Sequence, residues 1–405
     1  MATNRDGQRW VLDALISSGG WNVLHPEAGH LMQQLGYHSA DIERIFGQVK
    51  STAHIKMAFA TVAREVEAKA EYWLARGFNS AAANLLTRAM LLYGRAYYSF
   101  FGDDPRRKRF MACQRRCFDR LVPLHAHPVE RVELDFEDKR LYGVLHAPTG
   151  AVKRPCVIVI GGMDMVKEDW HHYIAQNIVP RGWVGFTFDG PGQGESLTMG
   201  LKAKIDNYES AMSCVIDALK SRPEIDPERI VLLATSMGSW WGSRAAAQEK
   251  RLKAVAINMP CYGGKHVIFN LAQPNYKANF MYMAGISDEA EFDKFARAMD
   301  IADMLPKITC PFLMVTGEYD ELTTVEDTLV AYRQLTAPKE LWIYGYEFHP
   351  IGPPAAEWLP ASLDWLERAL AGAFKPGYEK GIYITRDGQY HEGSGEPTWW
   401  HPAGA

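Results

Sequence analysis

The chain lacks a surplus of basic residues and any apolar run of membrane length. It carries 44 Lys and Arg residues against 48 Asp and Glu residues, which gives a net charge of −4. Proteins that bind nucleic acid or anionic membranes usually carry a basic surplus, and a membrane span needs ~18 or more consecutive apolar residues. We therefore expect no nucleic acid and no membrane among the partners of this protein.

A metal-binding cysteine pattern and a secretory leader are also missing from the sequence. Cys113 and Cys117 are four residues apart on a predicted helix, but no second ligand pair lies near them. Near the N-terminus, Asp13 interrupts the apolar residues 10–16, so the pattern of a leader is not formed. These absences predict a reduced, cytoplasmic protein that uses neither a metal nor a cofactor.

Aromatic residues, by contrast, are abundant. The 405 residues include 17 Phe, 18 Tyr and 12 Trp, more than a core requires, and this supply suits a pocket for an apolar small-molecule substrate. The length of the chain suggests a large domain with a smaller one beside it. Residues 1–125 show helical periodicity, with helices predicted over 58–74, 81–101 and 106–121, and we interpret them as an all-helical domain.

From Pro128 onward, short apolar strands alternate with helices. After a hairpin over 129–145, strands are predicted at 156–160, 184–188, 230–233, 255–257, 312–315 and 341–344. Continuous apolar strands separated by helices are typical of a parallel sheet covered on both faces. The sequence thus predicts an α/β domain over 126–375 with a lid insert at about 261–306. A tail over 376–405 follows, with a hairpin that turns at Asp387-Gly388.

One serine stands where a predicted strand passes into a helix, in the run Ala234-Thr235-Ser236-Met237-Gly238. Small residues two places before and after the serine are typical of a nucleophile elbow, because the tight turn crowds the neighbouring backbone. The N-terminus of the following helix would also stabilise negative charge. This context indicates that Ser236 is a nucleophile rather than an ordinary turn serine.

An acid and a base follow at the ends of later strands. Asp320 comes soon after the first strand beyond the insert, and His349 comes soon after the next strand. In this order His349 would take the proton of Ser236, and Asp320 would orient the imidazole and stabilise its charged form. Glu318 and Glu321 are rivals of Asp320 for that role.

Glycines after the predicted strand at 156–160 indicate an oxyanion hole. The run Gly161-Gly162-Met163-Asp164 permits close backbone approach, and we expect the backbone N–H groups of Met163 and Met237 to bind the oxyanion. Asp164 would bind a polar group of the substrate or, as the simpler expectation, cap the next helix. In the insert, the candidate substrate-binding residues are Lys265 and His266, which would otherwise form a solvated lid face.

The helical domain is expected to cover the active site and, with part of the insert, to wall an apolar pocket. The reactive serine of such a sheet opens at the carboxyl ends of the strands, where water must be excluded. One helix end is crowded with aromatic residues, namely Tyr93, Tyr97, Tyr98, Phe100 and Phe101. The alternative is that these side chains pack only against the domain's own helices or against a second subunit.

Together these segments resemble the FrsA-like esterase branch of the α/β-hydrolases, which includes fungal hydrolases that shorten polyketide pigments. The matching pieces are the run at 161–164 with Lys167-Glu168, the turn Arg181-Gly182-Trp183, the run Phe188-Asp189-Gly190-Pro191-Gly192-Gln193-Gly194-Glu195-Ser196, the serine elbow and the helix at 81–98. The resemblance implies an α/β-hydrolase fold with a helical cap, a Ser-Asp-His triad and often a homodimer. The chain departs from the branch at Ala234, at Thr324 and across the insert.

Members of that branch cleave carbon–carbon bonds next to a ketone, or esters. The leading interpretation is a serine hydrolase that cleaves a carbon–carbon bond next to a ketone in an aromatic or polyketide-like molecule. The alternative is an esterase, thioesterase or lactonase with the same triad. A remote third possibility is a ligand-binding homologue without catalysis, against which the complete set of Ser236, Asp320 and His349 argues.

Overall fold

The first part of the chain is helical. The computed structural model describes residues 4–20, 23–150 and 152–393. The helices that precede the first strand are α1 (Arg9–Gly19), α2 (Ala28–Gln34), α3 (Ser39–Gln48), α4 (Thr52–Leu74), α5 (Asn79–Tyr98) and α6 (Pro105–Leu121). The carboxylate of Asp104 caps α6 by accepting from the backbone N–H of Arg106. The three helices expected from the sequence are α4, α5 and α6, and α4 begins earlier than expected, at Thr52.

A mixed sheet follows the helices. Its strands are β1 (Val129–Phe136), β2 (Lys139–His146), β3 (Arg154–Ile160), β4 (Val184–Asp189), β5 (Ile225–Thr235), β6 (Val255–Asn258), β7 (Phe312–Gly317), β8 (Lys339–Tyr344), β9 (Glu379–Ile384) and β10 (Tyr390–Gly393). Within the described residues they form one ten-stranded sheet in the order β1-β2-β4-β3-β5-β6-β7-β8-β9-β10. The strands from β3 to β9 run parallel, so their carboxyl ends meet at one edge.

The helices after β3 connect the strands or form the insert. They are α7 (His171–Tyr173), α8 (Gly194–Thr198), α9 (Asn207–Lys220), α10 (Met237–Gln248), α11 (Pro274–Ala284), α12 (Glu289–Arg297), α13 (Val325–Gln334) and α14 (Ala355–Leu370). The insert between β6 and β7 contains α11 and α12. Near the C-terminus, β9 pairs with β8 in parallel and with β10 in a hairpin, so the described part of the tail extends the sheet.

Apolar residues of the central strands divide between two cores, one on each face of the sheet. In β3, Ile158 and Ile160 pack on the face covered by α9 and α10, whereas Val157 and Val159 pack on the face covered by α14 and the N-terminal helices. Successive side chains of a strand point to opposite faces, so both faces must be apolar to be covered. This double burial explains the unbroken apolar runs in the sequence.

Polar contacts fix the N-terminal helices on the catalytic sheet. The hydroxyl of Tyr37 donates to Asp169 Oδ1 over 2.8 Å, and Nη1 of Arg95 on α5 lies 2.8 Å from Asp164 Oδ2 in the loop after β3. Because charge-assisted hydrogen bonds are stronger than neutral ones, the second contact ties α5 to the loop that was expected to form the oxyanion hole.

The α/β-hydrolase fold with a helical N-terminal region is confirmed. Mostly parallel strands are covered on both faces, and the helices come first in the chain, as expected. The boundaries of the separate domains remain a prediction, and residues 394–405 of the expected tail lie outside the described residues. Among the helices that the structure describes, none combines the length and apolar character needed to cross a membrane.

Four histidines meet where the N-terminal helices join the sheet. His125 Nε2 lies 2.8 Å from His171 Nε2, and His127 Nε2 lies 3.0 Å from His146 Nδ1. Burial, with the neighbouring His127, lowers the pKa of His125 to about 4. Burial and the other histidines also hold the pKa values of His146 and His171 well below the ordinary value of 6.5. The folded protein therefore keeps this cluster neutral.

Acidification should destabilise the fold through this histidine cluster. Below pH 6.5 these histidines bind protons in the unfolded chain but stay neutral in the folded protein. The free energy of unfolding therefore falls as the pH drops from 6.5 toward about 4. We expect the urea midpoint to be lower at about pH 5 than at about pH 7.5. Replacement of His125 by Gln should flatten this pH dependence. Replacement of the exposed His54 by Gln is the control, and an equal flattening by both variants would contradict the assignment.

Candidate active site

The backbone at Ser236 has the strained conformation of a nucleophile elbow. Ser236 follows β5 and precedes α10 with φ 53° and ψ −127°, a region that L-residues rarely adopt. A Cβ atom added at Gly238 would lie 2.5 Å from the carbonyl oxygen of Gly161, so only glycine fits two places after the serine. Ala234 is tolerated two places before it because its methyl group faces Gly242 on α10.

Ser236, His349 and Asp320 form a continuous chain of hydrogen bonds. His349 Nε2 lies 3.0 Å from Ser236 Oγ, and His349 Nδ1 lies 2.9 Å from Asp320 Oδ2. The other carboxylate oxygen of Asp320 accepts the backbone N–H groups of Leu322 and Thr323. All three side chains lie at the carboxyl ends of β5, β7 and β8, as the sequence predicts. This arrangement can transfer a proton from the serine to the imidazole.

The carboxylates around His349 raise its basicity. Burial alone would lower the pKa of His349, but Asp320, with smaller contributions from Glu321 and Asp164, raises it above the ordinary 6.5. Glu321 accepts the backbone N–H of His349 and therefore positions the loop rather than the imidazole. Glu318 accepts from the backbone N–H of Tyr346 and the hydroxyl of Tyr383. Of the three acidic residues, only Asp320 contacts the His349 ring.

The expected oxyanion loop lies against the serine. A Cβ atom added at Gly162 would come within 3.3 Å of Ser236 Oγ, which shows how closely the backbone approaches there. Met163 is the next residue and lines the cavity at Ser236. Met237 is the first residue of α10, so its N–H has no acceptor within the helix. Both backbone donors are therefore in the expected part of the site.

The N-terminal helices and the insert enclose the serine. A cavity of about 100 Å³ contains Ser236 and His349 and is otherwise largely apolar. The N-terminal region contributes Ala28, Leu31, Met32 and Leu35, and the sheet domain contributes Met163, Met165, Met259, Leu322 and Pro350. A second, larger cavity of about 410 Å³ adjoins it, with Phe59, Tyr98, Phe101 and Tyr276 among its lining residues.

Sequence comparison assigns the family. The sequence model of the FrsA-like esterases matches residues 63–290, from the middle of α4 to α12. The chain belongs to the FrsA-like esterase family. The matched segment includes Ser236 and the oxyanion loop but ends before Asp320 and His349.

Two hydrolases are similar to the chain over part of its length. It is 31% identical over 267 residues to 2,6-dihydropseudooxynicotine hydrolase of Paenarthrobacter nicotinovorans, covering 65% of this chain and 70% of that enzyme. It is 32% identical over 210 residues to 20-hydroxy-prefusarin hydrolase FUS2 of Gibberella moniliformis, covering 49% of each. The alignment with the fungal enzyme thus spans about half of its length. The chain is accordingly an enzyme, a hydrolase of the α/β fold.

A solved structure of another hydrolase has the same fold. The crystal structure of 2,6-dihydroxy-pseudo-oxynicotine hydrolase superposes with a TM-score of 0.75 at 24% identity, covering 86% of this chain and 98% of that one. At 24% identity the superposition shows that the two proteins share a fold, and it shows nothing about a shared activity. The superposed 86% of the chain is longer than the sheet domain, so it includes part of the N-terminal region.

The candidate substrate-binding residues of this FrsA-like enzyme have different surroundings from those expected. Asp164 does not cap a helix, because Asp169 accepts the N–H of Val166 at that helix start. Instead, Asp164 pairs with Arg95 and lines both cavities. Lys265 is buried with its ammonium group on the carbonyl oxygens of Cys261 and Gly263, rather than on a solvated lid face.

His266 is exposed. Neither it nor Lys265 lines the cavities beside Ser236.

The described residues also contain no cluster of three or more His, Cys, Asp and Glu side chains that could hold a metal.

Two aromatic residues of the crowded helix end line the larger cavity, and three do not. Tyr98 and Phe101 are lining residues, whereas Tyr93 donates to Glu67 within the helical region. Tyr97 and Phe100 are buried elsewhere. The expectation of an aromatic wall is therefore correct only in part, because most of these rings pack among the helices.

His25 and Arg95 lie at the site although nothing in the sequence predicts this. Both residues line both cavities, and the His25 ring centroid lies 6.4 Å from that of His349. No motif surrounds either residue, and each reaches the site only because the helices fold over the sheet.

Replacement of Asp320 by Asn should separate its role from those of its neighbours. The variant should lower kcat by roughly 10³–10⁴, because His349 loses the carboxylate that orients its ring. In the unchanged protein, kcat/KM should rise with pH through an apparent pKa above 6.5, and Asp320→Asn should move that pKa downward.

The matched controls are Glu318→Gln and Glu321→Gln, whose effect on kcat should stay below about tenfold. Greater damage from Glu321→Gln than from Asp320→Asn would overturn the assignment of the acid.

Proposed function

We propose that the enzyme is a serine hydrolase that cleaves a carbon–carbon bond next to a ketone in an aromatic or polyketide-like small molecule. The hydrogen-bonded chain from Ser236 through His349 to Asp320 carries the serine mechanism. The preference for a ketone substrate rests on the family relationship, since similar enzymes include the pseudooxynicotine and prefusarin hydrolases.

Ser236 Oγ attacks the ketone carbon while His349 Nε2 accepts its proton. The backbone N–H groups of Met163 and Met237 bind the resulting oxyanion. The carbon–carbon bond then breaks, and its electron pair leaves with the departing carbon as an enolate, which requires a second carbonyl group next to that carbon. The protonated His349 returns the proton. Water hydrolyses the acyl-enzyme, so the products are a carboxylic acid and a shorter ketone.

The enclosure of the site suits this chemistry. The serine opens into a small, largely apolar cavity that residues of α2 help to line. Exclusion of bulk water strengthens the interactions that stabilise the oxyanion and protects the enolate until His349 protonates it. The adjoining larger cavity offers room for the rest of an aromatic molecule.

Ester, thioester or lactone hydrolysis with the same residues is the second candidate. The family match to FrsA-like esterases favours it, and an alcohol or thiol leaving group departs more readily than a carbon. A comparison of kcat/KM across β-diketones, esters and thioesters, with release of carboxylic acid as the common measurement, decides between the two. A preference for β-diketones supports the first candidate, and hydrolysis of esters alone supports the second.

Replacement of Ser236 by Ala should abolish both kinds of activity. Loss of a triad nucleophile typically lowers kcat by ~10⁴–10⁶, and the fold should persist because only one oxygen atom is removed. Ser213→Ala, on α9 and bonded to Glu249, is the control and should keep full activity. If Ser236→Ala retained most of the activity, the serine mechanism would be wrong and an activated water would have to attack.

A further inference from the structure

Four polar side chains separate the two cavities at the active site. His25, Arg95, Asp164 and Tyr276 line both the small cavity at Ser236 and the larger cavity beyond it. They come from four segments: the turn before α2, helix α5, the loop after β3, and α11 of the insert. Since the small cavity is otherwise largely apolar, this polar partition is suited to bind a polar group of the substrate next to the reacting carbon.

The hydroxyl of Tyr276 lies between nitrogen atoms of His25 and Gln273. Its oxygen lies 2.7 Å from His25 Nε2 and accepts from Gln273 Nε2 over 3.4 Å. When His25 carries its proton on Nε2, both neighbours donate to the oxygen, so the phenolic hydrogen is left for another acceptor. Burial lowers the pKa of His25 to about 4 and raises that of Tyr276 well above its usual value. Both groups are therefore neutral near pH 7.

Arg95 lines the same two cavities as Tyr276 and carries a positive charge. Its Nη1 contacts the carboxylate and the carbonyl oxygen of Asp164, which fixes the guanidinium against the oxyanion loop. Its side chain is 18% exposed and lines both cavities. The positive charge of the guanidinium therefore lies where an oxygen atom of a bound substrate can approach it.

We propose that Tyr276 and Arg95 bind the second carbonyl oxygen of a β-dicarbonyl substrate and stabilise the enolate that leaves when the carbon–carbon bond breaks. His25 is a positioning residue that orients the hydroxyl of Tyr276. The inference rests on the proposed function, because it concerns the leaving group of the reaction that Ser236 starts.

The atoms of this step balance without a further reagent. The bond from Ser236 Oγ to the attacked carbon forms, and the bond between that carbon and the central carbon of the dicarbonyl breaks. The electron pair moves into the second carbonyl as an enolate oxygen, held by the hydroxyl of Tyr276 and the guanidinium of Arg95. The proton that His349 took from Ser236 then returns to the central carbon. An ester places no negative charge at that position, so only carbon–carbon cleavage needs these donors.

Replacement of Tyr276 by Phe tests the assignment. With benzoylacetone as the substrate, kcat should fall by about 10²–10³, the usual effect of the loss of one donor to a developing oxyanion. With p-nitrophenyl butyrate, kcat should change by less than about threefold. Both activities are measured on one sample, so their ratio does not depend on how much of the variant is folded.

The matched control is Tyr282→Phe, on the same helix. Its hydroxyl lies 3.4 Å from Asp103 and is not part of either cavity lining, so its activity ratio should equal that of the unchanged protein. A second test uses β-diketones whose leaving ketones are more acidic, such as trifluoromethyl ketones. The decrease in kcat caused by Tyr276→Phe should become smaller along this series, because a more stable enolate depends less on a hydrogen bond from the enzyme.

Distinct outcomes separate this inference from the proposed function. Equal loss of both activities in Tyr276→Phe, or no loss in either, overturns the role of Tyr276. Ester hydrolysis that depends on Ser236 without any cleavage of β-diketones overturns both this inference and the proposed carbon–carbon cleavage, while the serine mechanism stands. Retention of both activities in Ser236→Ala overturns the proposed function itself.

Discussion

The strained backbone of Ser236 is the constraint on which the site depends. Its φ of 53° is unfavourable for a residue with a side chain, by about 1–3 kcal/mol, so neighbouring elements must hold it. The N–H of Ser236 donates to the carbonyl oxygen of Asn258 on β6, and the carbonyl oxygen of Ser236 accepts from Ser239 Oγ. Gly238 lets α10 pack against the loop after β3. The same turn places Ser236 Oγ beside His349 and the first N–H groups of α10 beside the oxyanion loop.

The helices that precede the sheet complete the active site, whose catalytic side chains lie at the ends of the strands. Arg95 on α5 binds Asp164 beside the oxyanion loop, and α2 covers the serine with apolar side chains. The insert reaches the same place through Tyr276, which contacts His25. A substrate that reaches Ser236 therefore meets residues from three distant parts of the sequence, so the choice of substrate depends on how these parts pack together.

The sequence predicts those features that local chemistry determines. Apolar runs predict the parallel strands because both faces of the sheet are buried, and small residues around Ser236 predict the elbow because the turn leaves no room for larger ones. The placement of Asp320 and His349 after strand ends also predicts that they lie near Ser236, where the structure has them. The sequence does not predict His25 or Arg95, whose positions depend on packing between helix and sheet. It also misjudges Asp164, since a carboxylate near a helix start resembles a cap until a distant arginine approaches it. Lys265 is misjudged as well, because a lysine in a loop is usually solvated, whereas this one is buried with its ammonium group on two backbone carbonyl oxygens.

Covalent labelling tests most directly whether Ser236 is the activated nucleophile of this site. The protein is treated with a fluorophosphonate, and the labelled residue is identified by peptide mass spectrometry. The account predicts one label per chain, attached to Ser236, with labelling at least ~100-fold slower in His349→Ala because the serine loses its base. A label on a different serine, or labelling of Ser236 at the same rate without His349, would contradict the account.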